Sequence, residues 1–362
     1  MAPDTAPELC WFEQVGLHDV ALVGGKCASL GELRRAGVRV PPGFAVTTRA
    51  HARFMSEAGV GDDVHRLLAG LRHDDLERLE AVSDAIRAMI ESAAFCAETE
   101  DAIAEHYRRL SNRCRASAVS VAVRSSATAE DLAGASFAGQ HDTYLGICGT
   151  ADLVRHVRRC MASLFTARAI SYRIRRGVSH RDVGISVGVQ QLVAASAAGV
   201  MFTVNAADGD RSVIELDASL GLGESVVSGK VTPDHFVVNK VTLDILARTI
   251  ARKPTSITVD RSTRRCVEAA VAVEHQAAPS LLDGEIVELC RIARAIERHY
   301  GCAMDIEWAI DRELPAGDRI FIVQARPETV WNGRRTAARA MDGGALEVIV
   351  QTLITGHKVL TR

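Results

Sequence analysis

The chain has 362 residues, too many for one ordinary core, so two or three lobes are expected. With 48% hydrophobic residues, 24% charged residues and a net charge of -2, its composition is globular and excludes both a disordered chain and a nonspecific grip on nucleic acid. The N-terminus has no basic region followed by an apolar run, and no stretch approaches the ~18 apolar residues that span a bilayer, so neither export nor a membrane partner is expected.

In chain order, residues 11–60 alternate short apolar runs with glycine, and "LVGGKCASLGELRRAGVRVPPGFAVTT" reads as loop, helix, then a strand entered through Pro41 and Pro42. Residues 75–112 are helical by period: Leu76, Leu79, Val82, Ile86, Met89 and Ile90 share one stripe, and Ile103, Tyr107 and Leu110 share another. From 118 to 147, strand-like runs flank a loop of small residues. A helix is expected over about 151–176, with Leu153, Val157, Cys160 and Leu164 inward and most of eight arginines between Arg155 and Arg181 outward, as a solvated surface or as a docking face. Residues 184–240 read as short strands punctuated by glycine, 281–300 as a helix with Ile286, Leu289, Ala293, Ile296 and Tyr300 on one face, and 305–331 as a hairpin. Neither an internal repeat nor a low-complexity segment is present.

The hairpin, "DIEWAIDRELPAGDRIFIVQARPETVW", carries Asp305, Glu307, Gln324 and Arg326 within an apolar pattern. Strand side chains alternate faces, so the acids share one face and Gln324 and Arg326 share one face of the partner strand. If paired numbers sum to 631, Glu307 lies opposite Gln324 and Asp305 opposite Arg326; a sum of 630 sends the two sets to opposite faces. The first register also unites Ile306, Trp308 and Ile310 with Phe321, Val323 and Ala325 against a core. Carboxylate and amide oxygens are the hard ligands that Mg2+ takes alongside phosphate and water, and Arg326 would add donors for a phosphate. The competing reading is a sheet face with a surface ion pair between Asp305 and Arg326.

Two further motifs bear on phosphate. "VGGKCASL" puts Lys26 after two glycines at a helix start, where backbone N–H groups and an ammonium can hold an anion, although the spacing is not that of the G-x-x-x-x-G-K-[ST] loop. A solvated lysine is the alternative, yet only five of the 43 basic residues are lysine (Lys26, Lys230, Lys240, Lys253, Lys358). Arg124 ends an apolar run and feeds a loop with Gly134, Gly139 and Thr143, whose small residues permit close approach of backbone to phosphate or form an ordinary flexible loop. Nine scattered cysteines form no C-x-x-C pair and read as reduced thiols of a cytoplasmic protein.

Together, "GGKCASLGELRRAGVRVPPGFAVTT", "VAVRSSATAEDLAGASFAGQHDTYL", "LFTARAISYRIRRG", "GVQQLV", "AGVMFT", "GLGESVVSG", "DIEWAID" and "FIVQARPETVW" resemble the ATP-binding part of phosphoenolpyruvate synthase (pyruvate, water dikinase), a module shared with pyruvate phosphate dikinase and rifampin phosphotransferase. The resemblance runs in unbroken order over about 11–331. It implies an α+β ATP-grasp fold with an N-terminal lobe over 11–183 that includes a helical insertion, a C-terminal lobe over 184–331, and a linker-like tail over 332–362. By the same resemblance, Lys26 and Arg124 bind ATP phosphates, Gly139 and Thr143 belong to the phosphate-covering loop, and Gln190, Gln191 and Leu192 meet adenine. Glu307 and Gln324 bind Mg2+, with the nearby acid Asp305 as a further metal residue, and Arg326 lies at the transferred phosphate.

Three departures are visible: Cys27 and Leu220 stand where the family has asparagine and tryptophan, and "TPDH" replaces "NPDE" at 232–235. The family also carries a swivelling domain with a phosphorylatable histidine and then a pyruvate-binding barrel. His357, in "LITGHKV", lacks the glycine-rich context of that histidine. The expectation is therefore a Mg-ATP-binding module for the nucleotide half of phosphoryl transfer, with a separate phosphohistidine-domain protein as a partner in trans. The alternatives are the ATP half of an antibiotic phosphotransferase and an idle ATP-binding protein.

Overall fold

In the computed structural model, residues 6–128, 142–181, 183–260 and 262–332 are described. The chain enters through β1 (Leu9–Trp11), runs into α1 (Val20–Arg35), returns as β2 (Gly43–Val46) and continues through α2 (Thr48–Glu57), α3 (Val60–Leu68), α4 (Leu76–Ser92) and α5 (Ala97–Arg113). Next come β3 (Val121–Ala127), β4 (Thr143–Ile147), α6 (Thr150–Ala162), α7 (Ala167–Arg176) and β5 (Ile185–Gln191). These strands form an antiparallel sheet ordered β1-β2-β5-β3-β4.

A second sheet is built from β6 (Ala197–Phe202), β7 (Val213–Leu220), β8 (Asp234–Asn239) and β9 (Ile245–Thr249), with the short α8 (Glu224–Val227) after β7. A ribbon of β10 (Thr255–Val259) and β11 (Cys266–Ala270) follows, then α9 (Asp283–Tyr300) and the hairpin β12 (Met304–Ile310) and β13 (Ile320–Pro327). The order β13-β12-β6-β7-β8-β9 is antiparallel throughout. Helices and antiparallel sheets make the fold α+β.

The helical periods locate the core well. Leu79, Ile86 and Ile90 of α4 and Ile103, Tyr107 and Leu110 of α5 are buried in the first lobe's apolar cluster. Leu76, expected on the same stripe, is 70% exposed, because it opens α4 directly after the capping Asp75, beyond the last packed turn. The helix expected over 151–176 is two helices. A 3-10 turn over Ser163–Phe165 ends the first, and the Thr166 hydroxyl accepts from Ala169 N–H to start the second. Arg173 is an exception to the outward arginine face, being 2% exposed.

Sheet membership follows long-range pairing and departs from the expected split at 183/184. β5, expected to open the second lobe, is hydrogen-bonded between β2 and β3 in the first sheet. Conversely, Val23, Cys27, Leu30 and Leu33 of α1 pack in the second core with Met201, Leu216, Ile306 and Trp308. α1 thus joins the lobes, and the chain passes from one sheet to the other between Gln191 and Ala197.

The hairpin register is the one whose numbers sum to 631 from Met304 to Glu307, with Asp305 opposite Arg326 and Glu307 opposite Gln324. A bulge then leaves Val323 unpaired, and Trp308 faces Ile322. Ile306, Trp308, Ile310 and Ala325 turn to the core as expected, but the bulge replaces Phe321 and Val323 there by Ile320 and Ile322. Phe321 and Val323 pack instead on a small apolar cluster with Val193, Ala195, Ala198, Leu222 and Ala309.

Candidate functional site

A cleft of about 720 Å³ lies where the two sheets face each other. Lys26, Arg124, Thr143, Gln190, Gln191 and Leu192 line it from the first-lobe side, and Glu307, Gln324 and Arg326 from the hairpin. Gly139 lies outside the described residues.

Lys26 is placed by a backbone break. Gly24 has φ +69° inside the span of α1, and a Cβ there would sit 2.1 Å from Ser126 O, so glycine is required on two counts. The helix restarts beyond it. Cys27 N–H donates to Ser126 Oγ at 3.2 Å and Lys26 Nζ donates to Ser125 O at 3.3 Å, which ties the lysine to β3. A Cβ on Gly188 would meet Cys27 Sγ at 2.9 Å, so this close packing also defines where β5 passes.

Arg124 does not end its strand; β3 continues to Ala127, and the arginine sits at its middle, opposite Thr143 of β4. From there it crosses to the hairpin. Its Nη1 donates to Glu307 Oε2 at 3.4 Å, to Val323 O at 3.4 Å and to Gln324 Oε1 at 3.5 Å. These are long contacts, and the buried Nε has no partner. The bulge at Val323 makes the geometry possible by turning a carbonyl and the Gln324 amide toward the same nitrogen.

Asp305 plays a different part from its neighbour Glu307. Both Arg326 Nε and Nη2 donate to its Oδ2, at 2.8 and 2.7 Å, and it does not line the cleft. Burial raises its pKa above the ordinary carboxylate value while the Arg326 charge and hydrogen bond oppose the rise. Its role is to hold Arg326, whose side chain is 41% exposed toward the cleft.

The apolar part of the cleft was less visible from sequence. Ala122, Leu145, Val193, Ala195, Ala198, Leu222 and Trp308 give it apolar walls, and Asp142 and Glu224 add carboxylates. The signal was the run of small residues in β6: a Cβ on Gly199 would lie 1.9 Å from Asp217 O. Gln190 is 2% exposed and its Nε2 has no hydrogen-bond partner, as is true of Trp308 Nε1. Both atoms belong to residues that line the cleft, and each keeps a donor to offer there.

Among the described residues, no group of three or more His, Cys, Asp and Glu side chains could hold a metal. What the hairpin offers is one carboxylate and one amide oxygen, both within 3.5 Å of the same guanidinium nitrogen. That nitrogen is a cation standing between two hard oxygens. The donor set fits a magnesium ion that takes most of its shell from phosphate and water.

Two sheets closing on a cleft, with basic residues from one lobe and a carboxylate–amide pair from the other, define a two-lobed ATP-grasp nucleotide-binding protein. The sequence profile "Pyruvate phosphate dikinase, AMP/ATP-binding domain" matches residues 20–344, and the chain belongs to that family. It is 43% identical over 375 residues to the probable phosphoenolpyruvate synthase of Staphylothermus marinus, covering 98% of this chain and 45% of that protein. It is 44% identical to the probable phosphoenolpyruvate synthase of Methanocaldococcus jannaschii (94% of this chain, 28% of the relative) and 40% identical to the phosphoenolpyruvate synthase of Pyrococcus furiosus (95% and 46%). The chain therefore spans less than half the length of these relatives.

Proposed function

We propose that this chain binds Mg-ATP in the cleft and performs the nucleotide half of a phosphoenolpyruvate synthase reaction. The observation that carries the reading is the convergence of Arg124 with Glu307 and Gln324 across the lobe boundary. Lys26 and the apolar walls line the same cleft.

The roles follow from position. The apolar walls hold the purine, and Gln190 Nε2 with the backbone of Gln191 and Leu192 reads its edge. Lys26 and Arg124 hold phosphate oxygens, and Thr143 contributes a hydroxyl from the start of β4. Glu307 and Gln324 hold magnesium, which when bound neutralises charge that builds on the phosphates. Arg326, steadied by Asp305, presents N–H groups to the transferred phosphoryl group from the open side of the cleft. No histidine is found among the described residues that line the cleft. The phosphoryl acceptor in this reading is a histidine on a separate domain or chain, with pyruvate as the final acceptor. Nine cysteines, none of them in a disulfide, support a reducing, cytoplasmic compartment. No helix among the described residues is long and apolar enough to cross a membrane.

Isothermal titration with ATP, with and without magnesium, tests the nucleotide reading: saturable binding tightened by the metal is expected, and no binding at millimolar nucleotide removes it. Labelled ATP and pyruvate, with and without an added phosphohistidine domain, test the transfer. AMP released only when that domain is present is the expected result.

A further inference from the structure

A second cavity, of about 910 Å³, lies in the first lobe and shares no described lining residue with the cleft. It is walled by α2, α3, the beginning of α1, the Ser163–Phe165 turn and the segment that leads from α7 to β5. One wall is apolar, formed by Met55, Val64, Leu68, Leu164 and Phe165. The other is basic, with Arg49, His51, His65, His180 and Arg181, and the described lining contains no acidic residue.

The basic wall is built with unfilled hydrogen-bonding capacity. His51 is 7% exposed, its Nε2 has no partner, and burial pushes its pKa down to about 4, so the ring is neutral. His65 Nδ1 donates to Gly61 O at 2.6 Å, which leaves its buried, unpartnered Nε2 as the acceptor nitrogen of the neutral ring. His180 Nδ1 accepts from Arg173 Nε at 2.9 Å, which makes Nε2 the protonated nitrogen of the neutral ring, a donor. Behind His180, Arg173 is 2% exposed, lies 5.6 Å over the Phe165 ring and leaves Nη2 unpartnered. Among the described residues no carboxylate pairs with it. Burying a guanidinium without a counter-ion is unfavourable, and an anion held at His180 would bring negative charge nearer to it.

We propose that this cavity is a second binding site, for an amphipathic oxyanion whose carboxylate or phosphate head meets Arg181, His180 Nε2–H and His51 Nε2 and whose apolar body lies on Met55, Leu68 and Phe165. The assignment is independent of what the cleft binds. Arg173 acts through His180, setting its tautomer and adding positive potential behind the head group.

The test is a titration of the full chain in saturating Mg-ATP, read on the histidine ring proton signals by NMR. The probes are phenyl phosphate, benzoate, inorganic phosphate and benzyl alcohol. Phenyl phosphate or benzoate should move the signals of His51, His65 and His180 saturably, with Kd of about 1 mM or tighter and inorganic phosphate and benzyl alcohol each about tenfold weaker. The tighter of the two aromatic anions identifies the head group. Arg181→Ala, a change at an exposed side chain, should weaken binding about fivefold without altering the fold, and His51→Phe should weaken it at similar ring volume. The proposal is overturned if none of the three signals moves at about 10 mM probe. It is equally overturned if the shifts disappear once ATP fills the cleft, or if both variants bind as the unaltered chain does.

Discussion

Two ion pairs in this molecule look alike in sequence and differ completely in their surroundings. Lys253 and Asp234 are both 0% exposed. Asp234 accepts from Lys253, from Ala251 N–H at 2.8 Å and from Ser280 N–H at 2.7 Å, while Lys253 also donates to Ala251 O at 2.8 Å. Arg124 and Glu307 keep some exposure, at 19% and 23%, meet at 3.4 Å, and leave Arg124 Nε unpaired. A buried pair whose hydrogen bonds are short and complete is a strut. A pair whose contacts are long and whose donors are left over keeps hydrogen-bonding capacity to offer elsewhere.

The largest expected effect breaks the strut. Lys253→Met strands a buried carboxylate and should reduce stability by about 3–5 kcal/mol, measured by urea unfolding, while the fraction still folded binds ATP normally. Equal losses of stability from Arg124→Ala would erase the distinction between the two pairs.

Arg124→Ala should instead leave stability within about 0.5 kcal/mol and weaken ATP binding by about 2 kcal/mol, roughly thirtyfold, by calorimetry. On the hairpin, Glu307→Ala and Gln324→Ala should each remove about tenfold of the affinity that magnesium adds, and leave metal-free binding unchanged. If both variants bind Mg-ATP like the parent chain, the metal assignment is wrong although the register is right. Lys26→Arg should weaken ATP binding by about 1.4 kcal/mol, since a planar guanidinium cannot occupy the point that an ammonium takes beside Ser125 O.

The smallest effect sharpens the structural side. Glu285 is 5% exposed; burial raises its pKa, but the two-pronged Arg312 contact and the Leu282 N–H outweigh this and the net shift is downward. A carboxylate with a depressed folded pKa stabilises the fold above its unfolded value of about 4.3, and that stability is lost as pH falls through the folded value. Glu285→Gln should therefore reduce stability by about 1 kcal/mol at pH 7, with the difference from the parent chain closing below about pH 4 in acid unfolding.

Much of the site could be read before any coordinates because its residues obey local rules. The period of two along the hairpin placed Asp305 with Glu307 and Gln324 with Arg326, and the pattern of apolar residues selected the register that holds from Met304 to Glu307, the pairs beyond the bulge summing to 630. The glycine pair before Lys26 marked a backbone break, and at Gly24 no other residue could follow it. Asp305 was grouped with the metal ligands because alternation says which face a residue shares, and nothing about which neighbour reaches it first. In the structure Arg326 reaches it, at 2.8 Å.

What the sequence determined by itself is the set of elements and the chemistry they carry: helical stripes at 3.6-residue spacing, strands by alternation, and donors and acceptors suited to phosphate and a hard metal. Tertiary structure decided the rest. It put β5 in the first sheet and α1 against the second core, because strand pairing and helix docking depend on partners far along the chain, 99 residues apart for Cys27 and Ser126. It inserted Val323 as a bulge, which a two-residue period cannot foresee, and so turned a carbonyl toward Arg124. It buried Arg173 behind His180, in a helix whose other arginines include exposed ones at 175 and 176, because only the packed lobe fixes which side of α7 is inside.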